Sequence, residues 1–168
     1  MSEALIFQLR SYQPGDRAEV TLLAERIKEN GIPPWRDPQK ARAWHDEATQ
    51  SIFAENEPGD ATIVAEAEAG GLLGFVTLRS NRDFLTGEEQ GYVSDFAVAQ
   101  AAEGRGVAGA LMSAAEEWAL AQGSRRISLN VWLQNERARG LYEHLGYRPE
   151  TMHYLKELQA SGPARSVP

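Results

Sequence analysis

Gly104, Gly106 and Gly109, with Ala108 between the last two, follow a strand-like run over residues 92–98 and lead into apolar spacing that turns helical from about Val107. Residues of these types in this order can hold an anion. The first turn of a helix leaves backbone N–H groups without intrahelical acceptors and carries the positive end of the helix dipole. Phosphate oxygens satisfy both. The small residues let a pyrophosphate approach the main chain closely, and Arg105 can add a positive charge. Gly104, Arg105, Gly106, Val107, Ala108 and Gly109 are therefore a candidate phosphate cradle.

The same residues fit a GxGxxG pattern, which invites a dinucleotide-binding reading. That reading needs the first glycine almost directly after the strand and an acidic residue roughly 20 positions on. Here five residues separate Val98 from Gly104, and residues 124–135 contain no Asp or Glu. The loop is better read as an anion site of another kind.

The surrounding elements must position this loop. Residues 5–9 read as a first strand. Asp16 and Glu19 stand three apart as a capping box, ahead of a helix with Val20, Leu23, Ala24 and Ile27 on one face that Asn30 and Gly31 stop. Asp37 and Pro38 suit the N-cap and first position of a second helix, running to about Glu55 with Ala41, Trp44, Ala48 and Ile52 facing the core. Two strands, residues 61–67 and 72–78, form a hairpin across Ala69, Gly70 and Gly71, and residues 80–90 read as a polar surface loop. After the glycine loop, Val107, Leu111, Ala115 and Trp118 mark a third helix, and residues 127–133 alternate as a strand. Strand, helix, strand implies a parallel crossover. A last helix from Asn135 presents Ala138, Leu141, Tyr142 and Leu145, Gly146 caps it, residues 151–158 read as a final strand, and 161–168 as a frayed tail. The expected fold class is α/β (α+β), one domain over residues 1–168 with its core at about 5–158 and helices on both faces of a mixed sheet.

Composition narrows the chemistry. Seventeen basic against twenty-four acidic side chains give a net charge of −7, which disfavours nucleic acid and favours cationic partners. The absence of cysteine removes disulfides, thiolate metal sites and a thiol nucleophile. His45, His144 and His153 are too scattered for a metal cluster, and no metal is expected. No apolar run is long enough to span a bilayer and the start lacks a secretion signal, so a cytoplasmic location and no membrane partner are expected.

Two motifs carry a family resemblance. Glu103, Gly104, Arg105, Gly106, Val107 and Ala108 resemble the Gln/Arg-x-x-Gly-x-Gly/Ala signature of the GCN5-related N-acetyltransferase (GNAT) superfamily. Asn135, Ala138, Leu141, Tyr142, Leu145, Gly146 and Tyr147 resemble its Asn-x-x-Ala-x-x-Leu-Tyr-x-x-Leu-Gly-Phe/Tyr helix. The likeness covers roughly residues 5–158 and is sharp over 92–147. It implies a mostly antiparallel sheet with two splayed parallel strands, acetyl-CoA as cosubstrate, and direct acetyl transfer to a primary amine of a small molecule or peptide. A homodimer is compatible with it. Glu103 departs from the signature, and its side chain is expected to turn to solvent while backbone N–H groups hold the pyrophosphate.

By the same resemblance, the pantetheine arm lies along Phe96, Ala97 and Val98. A backbone N–H near Ala97 or Val98 polarises the thioester carbonyl, and Asn135 contacts the arm. Asparagine is also an ordinary helix N-cap. Tyr142 matches the tyrosine that protonates the departing sulfur; otherwise it is the end of an apolar face with Leu141 and Leu145. Asp95 is the best candidate base, in the strand beside the reacting carbonyl, where alternation puts it with Val93 and Ala97; the other reading is a structural carboxylate. Trp35, Trp44, Asp46 and Glu47 are conceivable amine contacts, though Trp44, Trp118 and Trp132 read better as packing residues. The alternatives to an enzyme are a non-catalytic acyl-CoA sensor or an interaction domain on the same fold.

Overall fold

The computed structural model of the chain describes residues 5–29, 33–53 and 58–158. In order these form β1 (Phe7–Ser11), a 3-10 turn (Pro14–Asp16), α1 (Arg17–Glu29), α2 (Pro38–Ser51), β2 (Ala61–Ala67), β3 (Leu72–Arg82), β4 (Glu89–Val98), a 3-10 turn (Gln100–Ala102), α3 (Val107–Ala121), β5 (Ile127–Leu129) and α4 (Glu136–His144). The strands lie in sequence order in one sheet, antiparallel except for the parallel β4–β5 pair that α3 connects.

Strand alternation divides the core into two layers. Val64, Phe75 and Ala97 face Val20, Leu23 and Ala24 of α1 and Ile52 just after α2. Their neighbours Ala65, Val76 and Val98 face Val107, Leu111, Met112 and Ala115 of α3. Each helix thus buries one apolar stripe against one side of the sheet. The start of α1 is pinned by Arg10, whose guanidinium grips both Asp16 oxygens at 2.7 and 2.9 Å while its Nε donates to Glu66 at 2.9 Å.

At one point sheet and helix nearly touch. A Cβ on Gly91 of β4 would stand 2.8 Å from Ala119 Cβ and 3.3 Å from the Trp118 ring. Gly91→Ala should therefore push α3 off the sheet and cost about 1–3 kcal/mol, read as a drop of several degrees in the thermal melt; an unchanged melt would contradict the packing.

Several expectations are corrected. The first strand lies two residues later than residues 5–9. The cap of the first helix lies earlier: the Asp16 carboxylate accepts the Gln13 N–H at 2.7 Å, whereas Glu19 accepts the Leu72 N–H at 2.7 Å and ties α1 to β3. Asp37 does cap α2, accepting from the Gln39 and Lys40 N–H groups. The α2 stripe, however, runs through Ala41, His45, Thr49 and Ile52, so Trp44 is 69% exposed and His45 turns inward in its place. Residues 80–82 and 89–90 belong to β3 and β4, so the loop shrinks to residues 83–88, where Asp83 accepts the Leu85 and Thr86 N–H groups. β5 stops at Leu129, leaving Val131, Trp132 and Leu133 exposed. Residues 151–158 form no strand; Met152, Tyr154 and Leu158 are exposed without a neighbouring strand to pair with. The second helix ends at Ser51 with Ile52 as its C-cap, short of Glu55, while the stop at Asn30 and Gly31 and the 161–168 tail lie outside the described residues.

Candidate functional site

The glycine loop begins where β4 ends. The Gln100–Ala102 turn carries the chain over the edge, and Gly104 (φ 68°) and Gly106 (φ 87°) take left-handed conformations that other residues adopt at a cost. Gly106 is the N-cap of α3, and Ala110 N–H is the first to close back, onto Gly106 C=O at 3.0 Å. The N–H groups of Val107, Ala108 and Gly109 precede that bond, at the positive end of a 15-residue helix. An added Cβ at Gly104, Gly106 or Gly109 would meet nothing within 4 Å, so the cradle is open on its outer side. The Val107 side chain is fully buried and anchors the loop from beneath, while Arg105 is exposed. Backbone donors, small residues and an open face fit a pyrophosphate.

Beside the loop the sheet opens. β4 stays paired with β3 as far as Val98, but its ladder with β5 ends at Val93 and Leu129. Ser94 to Val98 therefore border a wedge between two parallel strands. Ala99 N–H donates to Leu73 C=O at 2.7 Å, and N–H directions alternate along a strand, so Val98 N–H points to the wedge and Ala97 N–H toward β3. The Ala97 and Val98 side chains are buried in opposite core layers, and Phe96 is half-buried.

A bulge decides where Asp95 points. Thr77 pairs with Asp95 and Leu78 with Val93, leaving Ser94 as an extra residue. Asp95 and Ala97 consequently share the α1 face, whereas Val93 packs in the α3 layer, contrary to simple alternation. Ser94 Oγ donates to Asp95 Oδ2 at 2.8 Å. Burial raises the Asp95 carboxyl above the ordinary aspartate range, opposed by the Ser94 hydrogen bond and by the charges of Arg79 on β3 and His45 on α2. His45 had nothing in the sequence to recommend it. Its one signal would have been the alternative helical stripe through Ala41 and Thr49.

Tyr142 reaches the same strand from α4. Its ring centroid lies 6.4 Å from Phe96 and 5.9 Å from Tyr147, in tilted contacts. Gly146 (φ 91°) closes the helix, with Tyr147 N–H donating to Tyr142 C=O at 2.9 Å, so the turn carrying Tyr142 is fixed from both ends. Burial pushes its phenol up to about 12, which keeps the hydroxyl protonated at neutral pH. The buried Tyr147 hydroxyl has no well-formed hydrogen bond among the described residues; Glu116 is near enough to raise its pKa but not to accept in good geometry. Asn135 caps α4, its Oδ1 accepting Ala138 N–H at 3.1 Å.

Of the other aromatic candidates, Trp35 and Trp44 are exposed on the α2 side, and Trp132 is exposed beyond β5. Trp118 packs as expected, and its Nε1 donates to Gly59 C=O at 3.0 Å. Glu103 differs from expectation: its carboxylate is paired with two arginines, Arg26 and Arg137. Among the described residues no group of three or more His, Cys, Asp or Glu could hold a metal ion.

The sequence profile of the acetyltransferase (GNAT) family matches residues 25–147. An uncharacterized N-acetyltransferase of Bacillus subtilis, YhfO, is 29% identical over 111 residues, which are 65% of this chain and 74% of that protein. Among solved structures, a Pyrococcus furiosus protein provisionally named an acetyl transferase superposes with a TM-score of 0.75 at 25% identity, over 91% of this chain and 100% of its own. AAC(6')-Iy, in complex with the bisubstrate analog CoA-S-monomethyl-acetylneamine, superposes with a TM-score of 0.64 at 19% identity, over 91% of this chain and 99% of its own.

Proposed function

The chain belongs to the acetyltransferase (GNAT) family, and from that membership we propose that it moves an acetyl group from acetyl-CoA directly to the primary amine of a small molecule or peptide, as one domain working in the cytoplasm. The enzyme class is that of an N-acetyltransferase. The observation that carries the finer reading is the wedge beside Ser94 to Val98, which opens next to the glycine loop and under Tyr142. A coenzyme-shaped ligand needs those three features in a row. The bisubstrate complex of AAC(6')-Iy, a protein sharing the fold, supports a coenzyme and an amine meeting on such a scaffold.

Acetyl-CoA, when bound, supplies the activated acetyl thioester. The N–H groups from Gly104 to Gly109 hold its pyrophosphate with Arg105 adding charge, and Phe96, Ala97 and Val98 lend their backbone to the pantetheine arm. Val98 N–H donates to the carbonyl oxygen as negative charge develops there. Asn135, already a cap, borders the arm. Asp95, on the α1 and α2 face, takes a proton from the incoming ammonium, directly or through water, and Tyr142 gives one to the departing sulfur. The net charge of −7 favours cationic acceptors. No described helix is long and apolar enough to cross a membrane.

A free-thiol release assay with acetyl-CoA and a panel of polyamines, aminoglycosides, amino acids and peptides tests the reading. At least one amine should accelerate thiol release. A flat panel with retained acetyl-CoA binding would replace the enzyme by a sensor. Saturation at 100 times Kd should add about 2.7 kcal/mol to stability, so a thermal melt unmoved by acetyl-CoA would instead point to an interaction domain.

A further inference from the structure

Glu103 puts a negative charge at the first position of a loop built to bind phosphate, yet it is not left alone there. One carboxylate oxygen, Oε1, lies 2.5 Å from Arg26 Nη2 and 2.6 Å from Arg137 Nη1. Arg26 comes from α1 and Arg137 from the first turn of α4, so a single atom gathers two guanidiniums from distant parts of the chain. The three groups together carry a net charge of about +1. The placement of Arg137 sharpens the point. A cation in the first turn of a helix opposes the dipole, and this one is paired with Glu103, in addition to the acidic Glu136 beside it in the same turn.

We propose that Glu103 is a positioning residue which, itself anchored by Arg26, holds Arg137 beside the glycine loop, and that the Arg137 guanidinium is a side-chain contact for the coenzyme's phosphates. The inference rests on the loop being the coenzyme site. The Arg137 guanidinium has five N–H donors in a planar fork, and its bond to Glu103 engages Nη1 at 2.6 Å. Arg137 is 62% exposed in its side chain and presents much of its fork outward. Anchoring orders the side chain before the ligand arrives, which lowers the entropic cost of binding.

Calorimetric titration of CoA, dephospho-CoA and pantetheine into wild type, Arg137→Ala, Glu103→Ala and the double variant tests this. Arg137→Ala should weaken CoA roughly five- to twentyfold, as for loss of a charge-assisted contact, and leave pantetheine unaffected. Glu103→Ala should also weaken CoA, although it removes a negative charge, and Arg137→Ala should cost less in that background. If the Arg137 effect persists with dephospho-CoA, the pyrophosphate is its partner; if it disappears there, the ribose phosphate is. Thermal melts confirm folding, and Arg137→Gln, which keeps the aliphatic stem, serves as the second variant. CoA binding that is unchanged in Arg137→Ala, or unchanged or tighter in Glu103→Ala, overturns the positioning role while leaving the coenzyme site intact. A wild type that binds no CoA overturns the site and this proposal together.

Discussion

Tyr142→Phe is expected to lower the acetyl-transfer rate at least about tenfold, a floor set below the roughly hundredfold usual for loss of a positioned acid, with little change in acetyl-CoA affinity. The substitution keeps the ring and hence the contacts at 6.4 Å to Phe96 and 5.9 Å to Tyr147. What goes is one hydroxyl. Burial holds that phenol at about 12, so it stays protonated through the neutral range and is available as a donor when the sulfur departs. Loss of rate without loss of binding is the signature of an interaction made only in the transition state. The neighbouring Tyr147→Phe is a built-in control. Its hydroxyl is buried without a well-formed partner, so its removal should leave turnover near wild type and stability equal or slightly higher. Wild-type turnover in Tyr142→Phe would remove the acid role; an equal loss in both variants would mean that the aromatic cluster, rather than one hydroxyl, is what matters.

Much of this arrangement was legible because it is local. The glycine loop, the Asn135 cap, the Gly146 stop and the β2–β3 hairpin are each set by residues a few positions apart, and local chemistry survives folding. The failures come from partners remote in sequence. Glu103 finds Arg26 at a separation of 77 residues, which no spacing rule can anticipate. Trp44 and His45 compete for the inner face of α2, and apolar residues four apart fit either stripe; the anchoring by Thr49 and Ile52 decides for His45. The alternation in residues 127–133 and 151–158 looks like strand, but a strand needs a ladder partner. β5 loses its partner at Leu129 because β4 turns away there, and that divergence opens the wedge on which the site depends. The expected long fifth strand therefore fails as a pairing element beyond the point where the sheet splits, and residues 151–158 enter no ladder.

The bulge at Ser94 has the same character, and its consequence is chemical. Without the extra residue, Asp95 and Val93 would share a face; with it, Asp95 turns to the α1 and α2 side, where His45 and Arg79 act on its charge. Asp95→Asn is expected to cut kcat/KM about a hundredfold, the lower range for losing a general base. The sign of the pH dependence follows from the carboxyl. A base works deprotonated, and burial raises this group's pKa, so wild-type activity should rise with pH through an inflection above the ordinary aspartate range, blunted by Ser94, Arg79 and His45. Asp95→Asn should flatten that limb, and His45→Gln should move it without abolishing it, because His45 acts on Asp95 only through its charge. A normal pH–rate profile in Asp95→Asn removes Asp95 as the base. A limb lost in His45→Gln but kept in Asp95→Asn would transfer the role to the imidazole, with the carboxylate reduced to holding the Ser94 hydroxyl.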